Sequence, residues 1–115
     1  MDHRIRRTIR FIEANYSLAV SIKELTQSAK LSRSRFRNLF KNETGLPPMR
    51  YVKQIRIRSA AQLFATKPSL SIKEVMASVG LDDKSHFARD FKRILGVTPT
   101  EYRERYASKR GQHDD

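Results

Sequence analysis

The amino-acid sequence predicts an all-α fold of about seven helices, with two small subdomains joined by one long linker helix. Three observations carry that prediction. The first is an internal duplication: Ser21-Ile-Lys-Glu24 recurs as Ser71-Ile-Lys-Glu74, and Leu31 as Leu81, fifty positions along. One inserted residue then shifts the correspondence to fifty-one, pairing Phe36 with Phe87, Phe40 with Phe91, Lys41 with Lys92, Gly45 with Gly96, Pro48 with Pro99 and Tyr51 with Tyr102. Two copies are too few to stack as a solenoid and suit two subdomains on one rod. The second observation is a Ser/Thr-x-x-Glu pattern before three helical stretches, the signature of a capping box. The third is that apolar residues recur at helical spacing, and no stretch alternates with the two-residue period of a strand.

Taken in order, Ile5, Ile9 and Ile12 mark a helix from about Asp2 to Asn15, followed by a loop over Tyr16–Val20. Ser21 and Glu24 form the first capping box, opening a short helix to Ser28 with Ile22 and Leu25 inward. After the tight turn Ala29-Lys30-Leu31, Ser32 caps a helix over Arg33–Glu43 whose inward residues are Phe36, Leu39 and Phe40. Thr44-Gly45 stops it, glycine being favoured just past a helix end. Pro47-Pro48 opens the long helix to Thr66, since proline is tolerated in a first turn.

That helix is about 27 Å long at 1.5 Å per residue. On a helical wheel, Tyr51, Val52 and Ile55 share one arc, while Ile57, Ala60, Ala61 and Phe64 share another, nearly opposite. A helix on a single core keeps one apolar stripe throughout. Here the first half buries one face and the second half the other, as a linker between two cores would.

Pro68 ends the linker, and the second copy repeats the plan. Ser71 and Glu74 cap a helix to Ser78, and Val79-Gly80-Leu81 turns. Asp82 caps a helix over Asp83–Leu95 with Phe87, Phe91 and Ile94 inward, and Gly96 closes it. Thr98-Pro99-Thr100-Glu101 combines a third capping box with proline at the first helical position, starting a last helix to about Ala107. The organisation is a first subdomain at residues 1–47, a linker at 48–66, a second subdomain at 67–107 and a frayed polar tail at 108–115. Gly80 has Lys30 as its counterpart. If that turn needs positive φ, lysine costs about 1–2 kcal/mol, so the first turn is expected to be built differently.

The charge narrows function. With 24 Lys+Arg against 12 Asp+Glu, the net charge is +12 and the pI about 10.6, which favours an anionic partner. The basic residues are spread over every segment and form no tail. The absence of cysteine excludes disulfides and cysteine–zinc sites. No apolar run approaches a membrane span, and the basic Met1–Arg10 leads into no apolar signal core. A cytoplasmic protein with no membrane partner is expected.

Catalysis finds no support in the chain. His3, His86 and His113 have no mutual ligand spacing. Asp83, Ser85 and His86 on one helix point in different directions and cannot form a triad. The glycines make no phosphate loop, and the capping boxes account for Glu24 and Glu74. Neither a cofactor nor a metal is expected.

Short helix, tight turn and longer helix is the helix-turn-helix arrangement, whose second helix enters the DNA major groove. On the first such helix, Arg33, Ser34, Arg35, Arg37 and Asn38 face out. Arginine pairs bidentately with guanine and asparagine with adenine, so Arg37 and Asn38 lead as base contacts. Phosphate contacts are expected from Ser32, Arg33, Arg35, Lys41 and Lys92 at the flanks, with Arg93 and Arg103 as further candidates. Two other readings compete. A sequence-independent nucleic-acid binder needs only the charge, but Phe36, Phe40, Phe87 and Phe91 sit on inner faces and offer no stacking platform to single strands. A module docking on RNA polymerase without DNA is the other.

Gly80-Leu81, Ser85-His86-Phe87-Ala88-Arg89-Asp90-Phe91-Lys92-Arg93, Gly96-Val97-Thr98-Pro99 and Tyr102-Arg103 resemble the signature of AraC/XylS-type transcription regulators. The first copy, with Phe40-Lys41-x-Glu43-Thr44-Gly45, is similar to that family's other helix-turn-helix, so the resemblance runs from Arg4 to Tyr106. It implies a seven-helix DNA-binding domain whose two recognition helices enter successive major-groove segments on one face of the duplex. It also implies base contacts at Ser34, Arg37 and Asn38, and at Lys84, Ser85, Ala88 and Arg89 on the second helix. Ala88 offers only a methyl group, so the second copy would read fewer bases. Many members attach an effector-binding or dimerising domain, absent from these residues: either the protein acts alone, as the family's single-domain members do, or this chain is an excised domain, itself a monomer, that would dimerise through an N-terminal partner. The expected function is a sequence-specific regulator of transcription that binds double-stranded DNA, with RNA polymerase as protein partner.

Overall fold

In the computed structural model the chain forms seven helices: α1 (His3–Asn15), α2 (Ile22–Ala29), α3 (Arg33–Thr44), α4 (Pro48–Thr66), α5 (Ile72–Ser78), α6 (Lys84–Leu95) and α7 (Pro99–His113). The structure describes the backbone of residues 1–113 and the side-chain surroundings of residues 1–106, and no strand occurs among them. The chain divides into two compact units, Met1–Ile55 and the residues from Arg56 onward, with the division inside α4.

In the first unit, Ile5, Ile12, Leu25, Phe36, Phe40 and Val52 form a buried core, and Leu39, Tyr51 and Ile55 pack against it. The Phe40 ring meets the edge of Tyr51 at 5.2 Å and lies 5.8 Å from Phe36. The start of α4 therefore closes the core built by α1, α2 and α3. Glu43 near the end of α3 holds the other end of the unit: its carboxylate accepts the Asp2 amide N–H at 3.0 and 3.1 Å. Asp2 in turn caps α1 by accepting the Arg4 N–H at 2.7 Å. The Arg4 side chain bonded to the Asp2 carboxyl lowers its pKa to about 2.

In the second unit, Phe64 of α4 is fully buried among Phe91 at 5.8 Å, Phe87 at 6.4 Å and Tyr102 at 6.5 Å. Tyr102 also meets Phe91 edge-on at 5.5 Å. Burial pushes the Tyr102 phenol up to about 12, and the hydrogen bond with Tyr106 adds to the shift. Ile57, Ala60, Ala61 and Phe64 are all buried, as are Val52 and the inner side of Tyr51 one half-helix earlier. This is the change of face that the linker's wheel implies.

Several details differ from expectation. Asp83, and not Asp82, caps α6: its carboxylate accepts the His86 N–H at 2.9 Å and its carbonyl accepts the Phe87 N–H at 2.9 Å. Ser32, the cap of α3, lies fifty-one positions before Asp83, so Asp82 is the inserted residue of the second copy. Only two of the three capping boxes close fully. Glu74 accepts the Ser71 N–H at 3.1 Å and Glu101 that of Thr98 at 3.4 Å, but Glu24 accepts the Ser21 hydroxyl at 3.3 Å instead. The two caps also differ in backbone, with φ −112° at Ser21 against −73° at Ser71.

The first turn is not built differently from the second. Lys30 adopts φ 56° and ψ 39° in the left-handed region where Gly80 has φ 84°. The Leu31 N–H reaches the Thr26 carbonyl at 3.3 Å, as the Leu81 N–H reaches that of Met76 at 2.9 Å, so both helices end in a Schellman closure. The turn at Lys30 carries Leu31 onto the core. Lastly, α7 runs past Ala107 to His113, there being no proline to stop it, and residues 114–115 of the expected tail lie outside the described residues.

Candidate nucleic-acid interface

The rotation of α3 about its axis is set by two fully buried phenylalanines, Phe36 and Phe40. With those rings inward, Ser34, Arg37, Asn38 and Lys41 must lie on the far side, within an arc of about 100°. All four are exposed. Ser32 opens the helix by accepting the Arg35 N–H at 3.2 Å, which leaves Arg33 and Arg35 exposed on either flank of the stripe.

The second copy rebuilds this surface on α6. Phe87 and Phe91 point inward, so Ser85, Ala88, Arg89 and Lys92 form the corresponding stripe. Ser85, Arg89 and Lys92 are exposed, and Ala88 is half-buried. Lys84 is exposed too but sits on the flank of the stripe, about 40° beyond Ala88, at the place Arg33 holds on α3. Asn38 corresponds to Arg89, and Arg37 to Ala88. The two stripes thus share one geometry and carry different chemistry.

The electrostatics are one-sided. Among the described residues, none of Arg33, Arg35, Arg37, Lys41, Lys84, Arg89 and Lys92 forms an ion pair. Two acids near the second stripe, Asp83 and Glu101, are held as caps. The His86 amide N–H lowers the Asp83 pKa, with smaller help from the charges of His86 and Arg89. The Thr98 hydroxyl does the same for Glu101, with Lys92 a minor contributor. The further candidates are occupied: Arg93 pairs with Asp90 at 3.0 Å, and Arg103 lies over the Phe64 ring at 5.8 Å. Asp90 is buried at the position of Leu39 in the first copy, and it pairs with Arg93 at the i,i+3 spacing that places two side chains on one helix face. Sequence reasoning passed over Arg50, an exposed residue in the first turn of α4 that lines a groove with Arg33 and Arg37.

No cluster of three or more potential metal ligands occurs among the described residues. No helix among them is long and apolar enough to cross a membrane. What the two stripes can do chemically is donate hydrogen bonds and positive charge to a polyanion, on side chains held by rigid helices.

Known proteins resemble this chain in sequence and in fold. The family model described as a helix-turn-helix domain matches residues 25–105. The probable transcriptional regulator LumQ of Photobacterium leiognathi is 34% identical over 80% of this chain and 37% of its own length. The HTH-type transcriptional regulator MtrA of Neisseria gonorrhoeae is 35% identical over 77% of this chain and 29% of its own. The chain thus spans about a third of the length of these two relatives, both named as transcriptional regulators. Among solved structures, a probable AraC family transcriptional regulator from Rhodopseudomonas palustris superposes with a TM-score of 0.83 at 26% identity, covering 91% of this chain and 98% of that one. The DNA-binding domain of AdpA, a global transcriptional factor solved in complex with a target DNA, superposes with a TM-score of 0.86 at 25% identity, covering 94% and 96%.

Proposed function

The chain belongs to the AraC-type helix-turn-helix family, and we propose that it is a sequence-specific double-stranded DNA-binding regulator of transcription that inserts α3 and α6 into successive major-groove segments. The observation that carries this reading is the duplicated stripe: corresponding positions, exposed in both copies except at Ala88, opposite the same buried phenylalanine pair, on two helices of one basic chain. Arg37 and Asn38 on α3 and Arg89 on α6 read base edges, with Ser34 and Ser85 beside them. Arg33, Arg35, Lys41 and Lys92, with the hydroxyl of Ser32, hold phosphates and set register without reading sequence. Lys84, at the place of Arg33, belongs with this second group. Because Ala88 replaces Arg37, the second box is the less discriminating one.

No catalysis and no cofactor enter this function. RNA polymerase is the proposed protein partner, and this chain binds DNA as a monomer because its two reading helices already lie on one polypeptide. Cytoplasmic location follows from a DNA target.

A titration against salt, with unlabelled nonspecific duplex as competitor, tests the reading. Log K should fall linearly with log[salt], by about 0.9 per neutralised phosphate, with roughly five to eight contacts. Nonspecific duplex should compete poorly. A slope near zero removes DNA as the partner. Equal competition by every duplex makes the protein an architectural binder, and capture of polymerase without promoter DNA favours the docking module.

A further inference from the structure

Beside the α3 stripe, the first unit carries a groove of about 320 Å³ lined by Ile22, Arg33, Arg37, Pro47, Pro48, Met49 and Arg50. Its lining is largely apolar, and the side chains of three arginines contribute to it. No carboxylate lines it, and none of the three arginines forms an ion pair among the described residues.

The duplication shows which of these charges is out of place. In the second copy the residue equivalent to Arg50 is Glu101, which completes the cap of α7 by accepting the Thr98 hydroxyl at 2.9 Å and its amide N–H at 3.4 Å. In the first copy Pro47 replaces Thr98 and has neither hydroxyl nor N–H, so position 50 has no cap to complete. An acidic residue would still suit the first turn of α4, because the helix dipole is positive there. Arginine is the unfavourable choice, and the first turn of α4 contains no acid to moderate it. A side chain that costs the fold at its own position, exposed and set beside two other arginines, is placed to meet an anion from outside. Arg37 identifies that anion, since it lies on the base-reading stripe and shares the groove.

Resting on the DNA reading above, we infer that Arg50 and Arg33 clamp one backbone phosphate beside the first box, with Ile22, Pro47 and Met49 packing against the adjoining deoxyribose. The second copy has no such clamp, because Glu101 is occupied as a cap and repels phosphate. The first unit is therefore the anchor of the complex, and Arg50 is a positioning residue that carries no sequence information.

The test uses the full chain with Arg50→Ala and Arg50→Glu. The glutamate variant favours the helix dipole, so its melting temperature should equal or exceed that of the wild type. Both variants should lose affinity several-fold on every duplex, by the same factor for selected and unselected sequences. Each salt slope should shrink by about 1 for the lost phosphate. Unchanged affinity and slope in a folded Arg50→Glu protein, while the wild type binds its selected site, would overturn the clamp and leave the DNA reading standing. A loss confined to one base position would overturn it equally, making Arg50 a base reader. A wild-type chain without salt-dependent binding refutes the DNA reading and the clamp with it.

Discussion

Exchanging the two turn residues, Lys30→Gly and Gly80→Lys, tests how the helix-turn-helix units are closed. Lys30 holds φ 56° and ψ 39° at the end of α2, in the same left-handed turn that Gly80 makes after α5. A residue with a Cβ pays about 1–2 kcal/mol for that conformation. Glycine escapes the cost but enlarges the freedom of the unfolded chain, which returns about 0.4–1 kcal/mol. Lys30 is exposed, so little packing is lost with it. Its charge beside the last carbonyls of α2 is favourable by about 0.3–1 kcal/mol at low ionic strength. Melting is best followed near 1 M salt, where the screening length is about 3 Å and that contribution fades. Lys30→Gly should then stabilise the first unit by about 0.5–1 kcal/mol, net of the unfolded-state cost. For domains of this size that is a rise of a few degrees in melting temperature. Gly80→Lys should lower the melting of the second unit by at least as much, and helical content should change in neither. A neutral or destabilising Lys30→Gly under those conditions would refute the claim that the two turns share one geometry at a local cost.

Three further outcomes follow from the same structure. Arg37→Ala should relax discrimination in one box of the DNA site and Arg89→Ala in the other, each by about 1–3 kcal/mol in binding assays on point-mutated duplexes; effects in the same box would contradict the assignment. In acid, the carboxyls of Glu74, Asp83 and Glu101 all have lowered pKa values, from the Ser71 amide, the His86 amide and the Thr98 hydroxyl respectively. Their stabilisation is present above the ordinary carboxylate range and lost as pH falls through their folded values, so the urea midpoint should decline below about pH 4.5 and decline less in Glu74→Gln. An equal decline in that variant would count against the cap. An alanine inserted between Arg58 and Ser59 turns everything after it by about 100°. It also shifts Ala60, Ala61 and Phe64, all buried, so melting must be recorded alongside. Binding to a two-box site should fall toward single-box affinity, whereas a folded insertion variant with wild-type affinity would make α4 a flexible tether.

Much of the fold was legible because the same rules were written twice. The pattern of buried and exposed residues over Ser21–Leu31 repeats residue for residue over Ser71–Leu81. Each capping serine or threonine, and each glycine stop, marked a real helix end. Where two adjacent residues offered the same chemistry, local reading was ambiguous. Asp82 and Asp83 are equally good caps, and only the fifty-one-residue correspondence with Ser32 separates them. Lys30 holds a left-handed turn that its propensity disfavours. Glu24 shows a capping motif that closes only in part.

The rest was hidden because it is not local. The bond from Asp2 to Glu43 joins residues forty-one apart, and no spacing rule foretells it. Ser34, Arg37 and Asn38 were accessible to sequence reasoning because a single helical period relates them to Phe36 and Phe40. Arg50 was not, because its charge acquires meaning only when the turn before α4 brings it beside Arg33 and Arg37.

Selection of bound duplexes from a random pool tests the central claim most directly. Two recognition helices in tandem on one chain should enrich an asymmetric site, with two distinct boxes about one helical turn apart and the stricter one read by α3. A palindromic site, a single box, or a bound pool with no enriched sequence would contradict it.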